Sequence, residues 1–145
     1  MNDMKKIISN ILLCAMAVFA VAACSDPEAE KLEKIVGEWH YTGTESGVGV
    51  DVYLGLSQDY TFELYQKLDN GAFELRRGKW HLEAGVLSGT YNDGEAWATS
   101  YKTAVSDETL TLVAQSEGSE TNRYKKCEIP AAIKDNCEVV VKSRP

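Results

Sequence analysis

Positive charge is scarce in this sequence. Its 15 Lys and Arg residues are outnumbered by 22 Asp and Glu residues, which gives a formal net charge of −7. Proteins that bind nucleic acid need clustered Lys and Arg to displace counterions, and proteins that dock on anionic lipid need basic clusters too. The composition therefore disfavours nucleic acid as a partner, and it disfavours electrostatic attachment to a membrane.

Groups suited to catalysis are also few. The two histidines, His40 and His81, each lie next to a tryptophan in a predicted strand, and no third ligand accompanies them at the spacing of a metal site. No serine occupies a Gly-x-Ser-x-Gly elbow, so the hydrolase motif is missing. The carboxylates are expected to be solvated on the outer faces of strands. We therefore expect no enzymatic activity, no cofactor and no metal.

Long hydrophobic runs are missing as well. A transmembrane helix needs about 20 predominantly apolar residues, and the apolar segment Ile7–Ala23 falls short of that and contains Ser9 and Asn10. Lys5 and Lys6 precede this segment, and small residues end it. Positive charge, a short apolar region and then small residues are the order found in a secretory signal peptide. We predict that residues 1–23 are such a signal.

The stretch "VAAC", which ends at Cys24, resembles the lipobox of bacterial lipoproteins. This resemblance implies that Cys24 becomes the first mature residue and carries acyl chains, several of which anchor a protein firmly. The alternative is an ordinary cysteine within a cleaved signal. The following "SDPEAE" resembles the acidic export tags of some lipoproteins of Gram-negative gut anaerobes. Together they imply an envelope lipoprotein anchored to the outer membrane, on the periplasmic face or the cell surface.

Cysteine is sparse, with four in the chain. Cys14 lies in the predicted signal and Cys24 is assigned to the lipid, so Cys127 and Cys137 remain as an even pair in an oxidising compartment. A disulfide between them would close a short loop and contribute about 2–3 kcal/mol. The alternative is two free thiols whose Cβ vectors do not meet. We predict the disulfide.

Residues 24–36 are predicted to form a lipidated tether and a short helix. Asp26 can cap the helix, Pro27 suits its first position, and Gly37 ends it. The apolar residues of this segment recur at helical spacing: Leu32, Ile35 and Val36. The helix is therefore expected to lie with this stripe against the following domain.

Residues 37–145 are predicted to be an all-β domain, with no helical periodicity after Ile35. Apolar and polar residues alternate in about eight segments, spaced roughly 8–14 residues apart. Turn signals such as Asp69-Asn70-Gly71 and Asn92-Asp93-Gly94 separate them. Short connections make consecutive strands antiparallel neighbours, and closure of this up-and-down meander into a barrel removes its exposed edges. A two-sheet sandwich is the alternative.

Several motifs give this barrel a family resemblance. "IVGEWHYT" contains Gly37-x-Trp39, which resembles the Gly-x-Trp signature of the lipocalins. The stretches "QDYTFELYQ", "GKWHLEAGVLSGTYNDGEAWATSY" and "DETLTLVAQ" resemble the strands of small lipocalin-like lipoproteins of gut anaerobes. The resemblance covers most of residues 35–130 and implies a lipocalin-like barrel. The chain is shorter than true lipocalins and lacks their long C-terminal helix, so lipid transport is not implied.

The same resemblance assigns structural roles. The first-strand tryptophan of lipocalins plugs the closed end of the barrel, which implies this position for Trp39. A basic residue late in the lipocalin barrel often covers that tryptophan, and Arg123 in the last strand is the matching candidate, with Arg76 and Arg77 as competitors. Such a cation–π contact is worth about 0.5–2 kcal/mol.

Aromatic residues are numerous for a small domain, and they allow two functions. They could fill the barrel, or they could line a cavity or platform for a ligand. Our candidate ligand-binding residues are Trp80, Trp97, Tyr53 and Tyr101. The first function is a non-enzymatic module that binds a small hydrophobic or glycan-like ligand. The second is a structural lipoprotein with a filled barrel that contacts an envelope or host protein, or acts as an inhibitor. We expect a monomer in either case.

Overall fold

The computed structural model describes residues 27–118 and 120–140. The predicted signal peptide and Cys24 lie outside the described residues. A short helix, α1 (Pro27–Ile35), precedes eight strands and a C-terminal helix and strand. The strands and the second helix are β1 (Gly37–Glu45), β2 (Val48–Leu56), β3 (Thr61–Leu68), β4 (Glu74–Glu83), β5 (Val86–Tyr91), β6 (Tyr101–Ser106), β7 (Thr109–Ala114), β8 (Thr121–Lys126), α2 (Ala131–Asn136) and β9 (Glu138–Val139). Neither helix is long and apolar enough to cross a membrane.

Strands β1 to β8 form a closed antiparallel barrel. Each strand pairs with its neighbours along the chain, and β1 pairs with β8 through Trp39 opposite Lys126 and His40 opposite Lys125. The antiparallel order of consecutive strands follows from the short connections, such as the two-residue turn at Ser46-Gly47, where both residues have positive φ. The predicted all-β, eight-stranded, up-and-down barrel is therefore confirmed, and the sandwich is excluded.

The barrel interior is filled by one face of each strand. In β2, Val50, Val52, Leu54 and Leu56 are buried inside the barrel, and the residues between them face outwards because side chains alternate along a strand. Tyr53 also faces outwards, but it is buried by the outer apolar cluster. The buried residues of this inner core come from α1 and from seven of the eight barrel strands, all except β6: Ile35, Trp39, Val50, Val52, Leu54, Leu56, Phe62, Trp80, Leu87, Leu110, Leu112 and Tyr124. The apolar periodicity of the sequence thus marks the inner face.

Helix α1 lies against one end of the barrel, as predicted. Ile35 is 1% exposed and packs into the inner core, and Leu32 contacts the same core. Gly37 has a φ of 143°, a value that side chains rarely allow, and it turns the chain from the helix into β1. The indole of Trp39 then donates a hydrogen bond to the carbonyl of Ile35 at 2.9 Å. This bond satisfies one of the free carbonyls at the helix end.

The chain after β8 crosses the outside of the barrel. Helix α2 begins after Pro130 and contains no buried residue, and β9 runs parallel to the first residues of β4. The sequence did not predict α2, because a six-residue helix without a buried face leaves no helical periodicity. This C-terminal segment, residues 127–140, is held by Glu38, which accepts a hydrogen bond from the Ile129 amide at 3.1 Å and pairs with Lys134 at 3.3 Å.

A second apolar cluster, here called the outer core, lies beneath the C-terminal segment. Its buried members are Tyr53, Tyr65, Leu75 and Ile129. Cys127 and Cys137 pack against it, but both are free thiols. Their sulfur atoms lie 3.6 Å from the carbonyl of Glu128 and 3.5 Å from that of Lys134. The predicted disulfide is therefore not found, since each thiol contacts a local backbone carbonyl.

Candidate functional site

Two indoles close one end of the barrel, here called the floor. Trp39 is 1% exposed and Trp80 is 2% exposed. Each has a backbone partner for its ring N–H, because Trp39 donates to Ile35 and Trp80 donates to the carbonyl of Ser57 at 3.1 Å. Buried indoles whose N–H groups are satisfied stabilise the fold. Trp39 thus lies beside α1 in the buried core of the barrel.

Lys126, and not Arg123, covers Trp39. The ammonium of Lys126 lies 5.7 Å from the centre of a Trp39 ring. Arg123 is exposed and stands opposite Thr111, remote from the β1–β8 pairing that brings Lys126 to Trp39. The alternation of β8 explains the difference, since Tyr124 points inwards and Lys126 shares its side while Arg123 points outwards. The predicted role of Arg123 is therefore corrected.

The competing arginines do not cover Trp39 either. Arg76 is 5% exposed and donates a hydrogen bond to Glu74 at 3.1 Å, on the inward side of β4. Arg77 points outwards and pairs with Glu63 at 3.0 Å. The Arg76–Glu74 pair therefore leaves a charge-balanced group inside the barrel wall.

The end of the barrel opposite the floor contains a cavity of about 230 Å³, here called the upper cavity. Aliphatic side chains form its base, and tyrosine and tryptophan rings form its walls. Its lining residues are Glu45, Val52, Leu54, Leu64, Gln66, Tyr91, Trp97, Ala98, Tyr101, Leu112, Asn122 and Tyr124. The lining is mixed, because the polar groups of Glu45, Gln66 and Asn122 stand beside the aliphatic and aromatic side chains. A concave space with hydrophobic and aromatic side chains and placed polar groups is a candidate small-molecule site.

Trp97 reaches the cavity because β5 has a glycine opposite it. The backbone amide of Trp97 donates to the carbonyl of Gly89 at 2.9 Å, and a Cβ at Gly89 would overlap the indole. The ring makes edge-to-face contacts with Phe62, at 5.1 Å between centroids, and with Tyr101, at 6.2 Å. The missing side chain of Gly89 therefore provides the space in which the indole forms a cavity wall.

The ring N–H of Trp97 differs from those of the floor. Its nitrogen is buried and has no hydrogen-bond partner within the described part of the chain. A buried donor without a partner costs about 1–3 kcal/mol. The half-buried Trp97 side chain is therefore less stabilising than Trp39 or Trp80.

A wider depression of about 400 Å³, here called the mouth, adjoins the upper cavity. The two spaces share Glu45, Tyr101 and Asn122 in their linings. The remaining lining residues of the mouth come mainly from the connection between β7 and β8: Thr99, Ala114, Ser116, Glu117, Gly118 and Glu120. The upper cavity thus opens to solvent through a polar rim.

The rim carries negative charge. Glu45, Glu117 and Glu120 line it, and none of the described residues that line the upper cavity or the mouth is Lys, Arg or His. The electric field of these carboxylates also affects the pKa values of tyrosines in the cavity walls. Burial raises the pKa of Tyr101, with smaller contributions from Tyr91, Glu45 and Glu120. The walls therefore stay neutral near pH 7, and the charge at the opening is that of the carboxylates.

Buried phenols line the inner wall. Burial raises the pKa of Tyr124, and Tyr101, Glu45 and Tyr41 add to the shift. Burial also raises the pKa of Tyr91, although the nearby Arg76 opposes the shift. These phenols can donate or accept hydrogen bonds, but they cannot act as bases near neutral pH. The phenols of this wall are therefore available for hydrogen bonding.

The four candidate ligand-binding residues fall into two groups. Trp97 and Tyr101 line the upper cavity. Trp80 belongs to the floor, and Tyr53 points outwards into the outer core, where it stacks on His40 with 4.1 Å between ring centroids. The alternation of β2 had already placed Tyr53 opposite its aliphatic face. Whether Trp97 and Tyr101 bind a ligand stays a prediction.

Sequence reasoning missed several of the lining residues. Tyr91 and Tyr124 form walls, and Glu45, Gln66 and Asn122 supply polar groups. Strand β8, "TNRYKK", is polar on both faces, so its pattern did not show that Asn122 and Tyr124 point inwards. The available signal was that Tyr124 is its one large apolar ring.

The histidines lie away from the cavity. His40 contacts Asp51 at 2.6 Å on the outside of the barrel, and His81 lies 3.4 Å from Glu83 on an exposed surface. No group of three or more His, Cys, Asp or Glu in residues 27–118 and 120–140 is arranged to hold a metal ion. The absence of a cofactor and of catalysis stays an expectation.

The geometry defines a class of protein, the small closed antiparallel β-barrels. A family model described as a lipocalin-like domain matches residues 32–112, more than half of the chain. The chain therefore belongs to the lipocalin-like domain family, and its barrel fits a role in ligand binding. No curated protein and no solved structure matches it significantly.

Proposed function

We propose that this protein is a lipid-anchored, non-enzymatic binding module of the cell envelope that holds a small ligand in the upper cavity. The observation that carries this proposal is the contrast within the barrel, because one end is sealed by satisfied indoles and the other encloses about 230 Å³ between aromatic walls. A barrel that served only as a filled scaffold would be expected to have side chains packed in that space.

The size of the space limits the ligand. The upper cavity alone is below the roughly 300 Å³ at which ligand pockets usually begin, but it continues into the mouth of about 400 Å³. A ligand would therefore bury an apolar or ring-shaped body among Tyr91, Trp97 and Tyr101 and leave its polar part at the rim. Both small hydrophobic compounds and sugar rings can pack on aromatic faces in this way.

The chemistry of the lining supports a non-enzymatic role. The described lining residues offer carboxylates, amides and phenols, and the two histidines of the chain are outside the barrel and paired with carboxylates. Acid–base catalysis near pH 7 usually relies on a group whose pKa lies near the operating pH. The raised pKa values of Tyr101 and Tyr124 move these phenols further from that range.

Native mass spectrometry of the protein purified from its own host tests the binding role. We expect a fraction with an added mass that dissociates as a small molecule on activation. A matched pair of variants locates the site. Leu112→Trp fills the upper cavity and should abolish the added mass, whereas Val139→Trp places the same ring at an exposed position, 59% accessible, and should retain it.

The alternative function is an interaction lipoprotein whose barrel is filled, and the packed floor is the observation that favours it. A protein with only its own mass, and Leu112→Trp unchanged in every respect, would support this alternative and contradict the proposal. Circular dichroism of both variants would show that the fold is retained, so that a lost ligand reflects the filled cavity.

The proposed anchor is the acylated Cys24, supported by the resemblance of "VAAC" to a lipobox. Helix α1 begins at Pro27, three residues later, and it lies at the floor. A membrane-attached Cys24 would therefore hold the floor near the bilayer. We expect Cys24→Ala to move the protein from the membrane fraction to the soluble fraction, while Cys137→Ala stays membrane-bound. A Cys24→Ala variant that remains in the membrane would disprove the anchor.

A further inference from the structure

We propose that the ligand of the upper cavity is a small organic cation, a protonated or quaternary amine on an apolar or ring-shaped body. This inference rests on the proposed binding function and names the chemical class of the ligand. It follows from two independent features of the same space, the aromatic walls and the sign of the charge at the opening.

The charge at the opening has one sign. Glu45 lines both the upper cavity and the mouth, and Glu117 and Glu120 line the mouth. Arg76, whose charge acts on the Tyr91 phenol, is bonded to Glu74 at 3.1 Å and is therefore balanced. Clefts that are lined by one sign of charge concentrate ligands of the opposite sign. The opening therefore attracts cations and repels carboxylates.

The walls suit the same class of ligand. Four aromatic rings border the upper cavity, from Tyr91, Trp97, Tyr101 and Tyr124. The faces of aromatic rings attract cations, most strongly for tryptophan and for desolvated sites, and rings that surround a site are a recurrent means of holding alkylammonium groups. An uncharged apolar ligand would gain from burial alone, whereas an ammonium ion would gain from the rings and from the carboxylates.

Glu45 is the residue that joins the two features. It stands at the end of β1 on the inward side, and its charge acts on both Tyr101 and Tyr124. An ammonium group at the height of these two rings would therefore be close to the Glu45 carboxylate. Glu117 and Glu120 are exposed and would contribute mainly to the field outside.

A matched series of probes tests the charge preference on the purified full chain. Phenethylamine, phenethyl alcohol and hydrocinnamate share a phenylethyl body and carry a positive, a neutral and a negative end at neutral pH. We expect calorimetry to give the tightest binding for phenethylamine, by about tenfold over the alcohol, which is about 1.4 kcal/mol. Hydrocinnamate should bind most weakly. Added salt should reduce the amine's advantage, because salt screens charges.

Two variants assign the effect to the opening. Glu45→Gln should lower the affinity for phenethylamine about fivefold or more while changing that for phenethyl alcohol less than about twofold. Glu108→Gln removes a carboxylate from the exposed turn between β6 and β7 and should leave all three affinities unchanged. The alcohol acts as an internal control for folding of each variant.

The outcomes separate this inference from the proposed function. Equal affinities for the three probes, or tightest binding of hydrocinnamate, would overturn the cationic class and leave the cavity as a binding site. No binding of any probe up to about 10 mM, a limit of roughly 3 kcal/mol, would overturn the cationic class, and the native mass spectrometry described above would decide the binding function separately. A preference for the amine that Glu45→Gln does not reduce would also overturn the inference, because the charge would then act from elsewhere.

Discussion

The floor and the upper cavity both contain tryptophan side chains, but they differ in whether the ring N–H groups of those tryptophans have hydrogen-bond partners. At the floor, Trp39 and Trp80 are fully buried and their ring N–H groups donate to backbone carbonyls. At the upper cavity, Trp97 is half-buried and its ring N–H has no partner within the described residues. Indoles thus stabilise one end of the barrel and enclose space at the other.

This difference indicates a division between stability and binding. The floor combines the inner core, helix α1 and the cation above Trp39, so its groups are packed against protein. The upper cavity keeps aromatic surface accessible, which lowers the stability that this surface could contribute. Functional sites commonly depart from the packing and hydrogen-bond satisfaction that hold elsewhere in a protein.

The largest expected effect comes from removing an indole at each end. Trp39→Ala should lower the free energy of unfolding by about 3–5 kcal/mol, because it empties a packed position. Trp97→Ala should lower it by about 1–2 kcal/mol, because the ring is half-buried and an unsatisfied donor is removed with it. Urea unfolding measures both values. Equal losses of unfolding free energy in the two variants would contradict the difference between the floor and the upper cavity.

Alkaline pH should act on the tyrosines of the upper cavity and the outer core, since indoles do not ionise. Burial, then the carboxylate of Glu63, raises the pKa of Tyr65 to about 12. The unfolded chain releases this proton near pH 10, so stability is constant below pH 10 and falls as the pH rises towards 12. Tyr65→Phe should reduce that loss by roughly 2–3 kcal/mol.

Unfolding measured at intervals from pH 8 to about pH 12, with phenolate absorbance followed in parallel, checks the alkaline prediction. Tyr65→Phe and the parent protein should differ by a constant amount at the lower end and converge or cross as the pH rises. Parallel curves over the whole range would show that the Tyr65 pKa is the same in both states.

The smallest effect concerns the cation at the floor. Lys126→Ala should cost about 0.5–1 kcal/mol, since it removes the ammonium above Trp39 and the packing of its stem. Arg123→Ala should change stability by less than about 0.5 kcal/mol, because the side chain is exposed. A larger loss of stability for Arg123→Ala than for Lys126→Ala, in thermal or urea unfolding, would support Arg123 as the residue that covers Trp39.

The predictable part of the fold came from local patterns. The alternation of β2, the turn at Asn92-Asp93-Gly94 and the apolar stripe of α1 each depend on neighbouring residues, and the structure contains all three features. The candidate site was predicted in part, because Trp97 and Tyr101 line the cavity and Trp80 does not. The height of a residue along the barrel axis depends on pairing with distant strands, so a local pattern cannot supply it.

The state of the two cysteines is also a feature that a local sequence pattern cannot supply. Two cysteines ten residues apart are compatible with a bridge, but the path of residues 127–140 over the outer core determines where each thiol points. In the structure, helix α2 lies between them and both thiols face local carbonyls. The position of α2 is set by Glu38, which is remote in the sequence and which contacts the Ile129 amide and Lys134.

Local patterns alone are enough to predict an antiparallel meander behind a short helix, because period-two alternation, turn residues and helical spacing act over a few residues. Which end of the barrel is sealed and which is open depends on the pairing of strands that are distant in the chain. Closure brings β1 beside β8 and sets side chains from all strands at common heights, and that register results from hydrogen bonds between residues far apart in the chain. The floor and the upper cavity are consequences of that register.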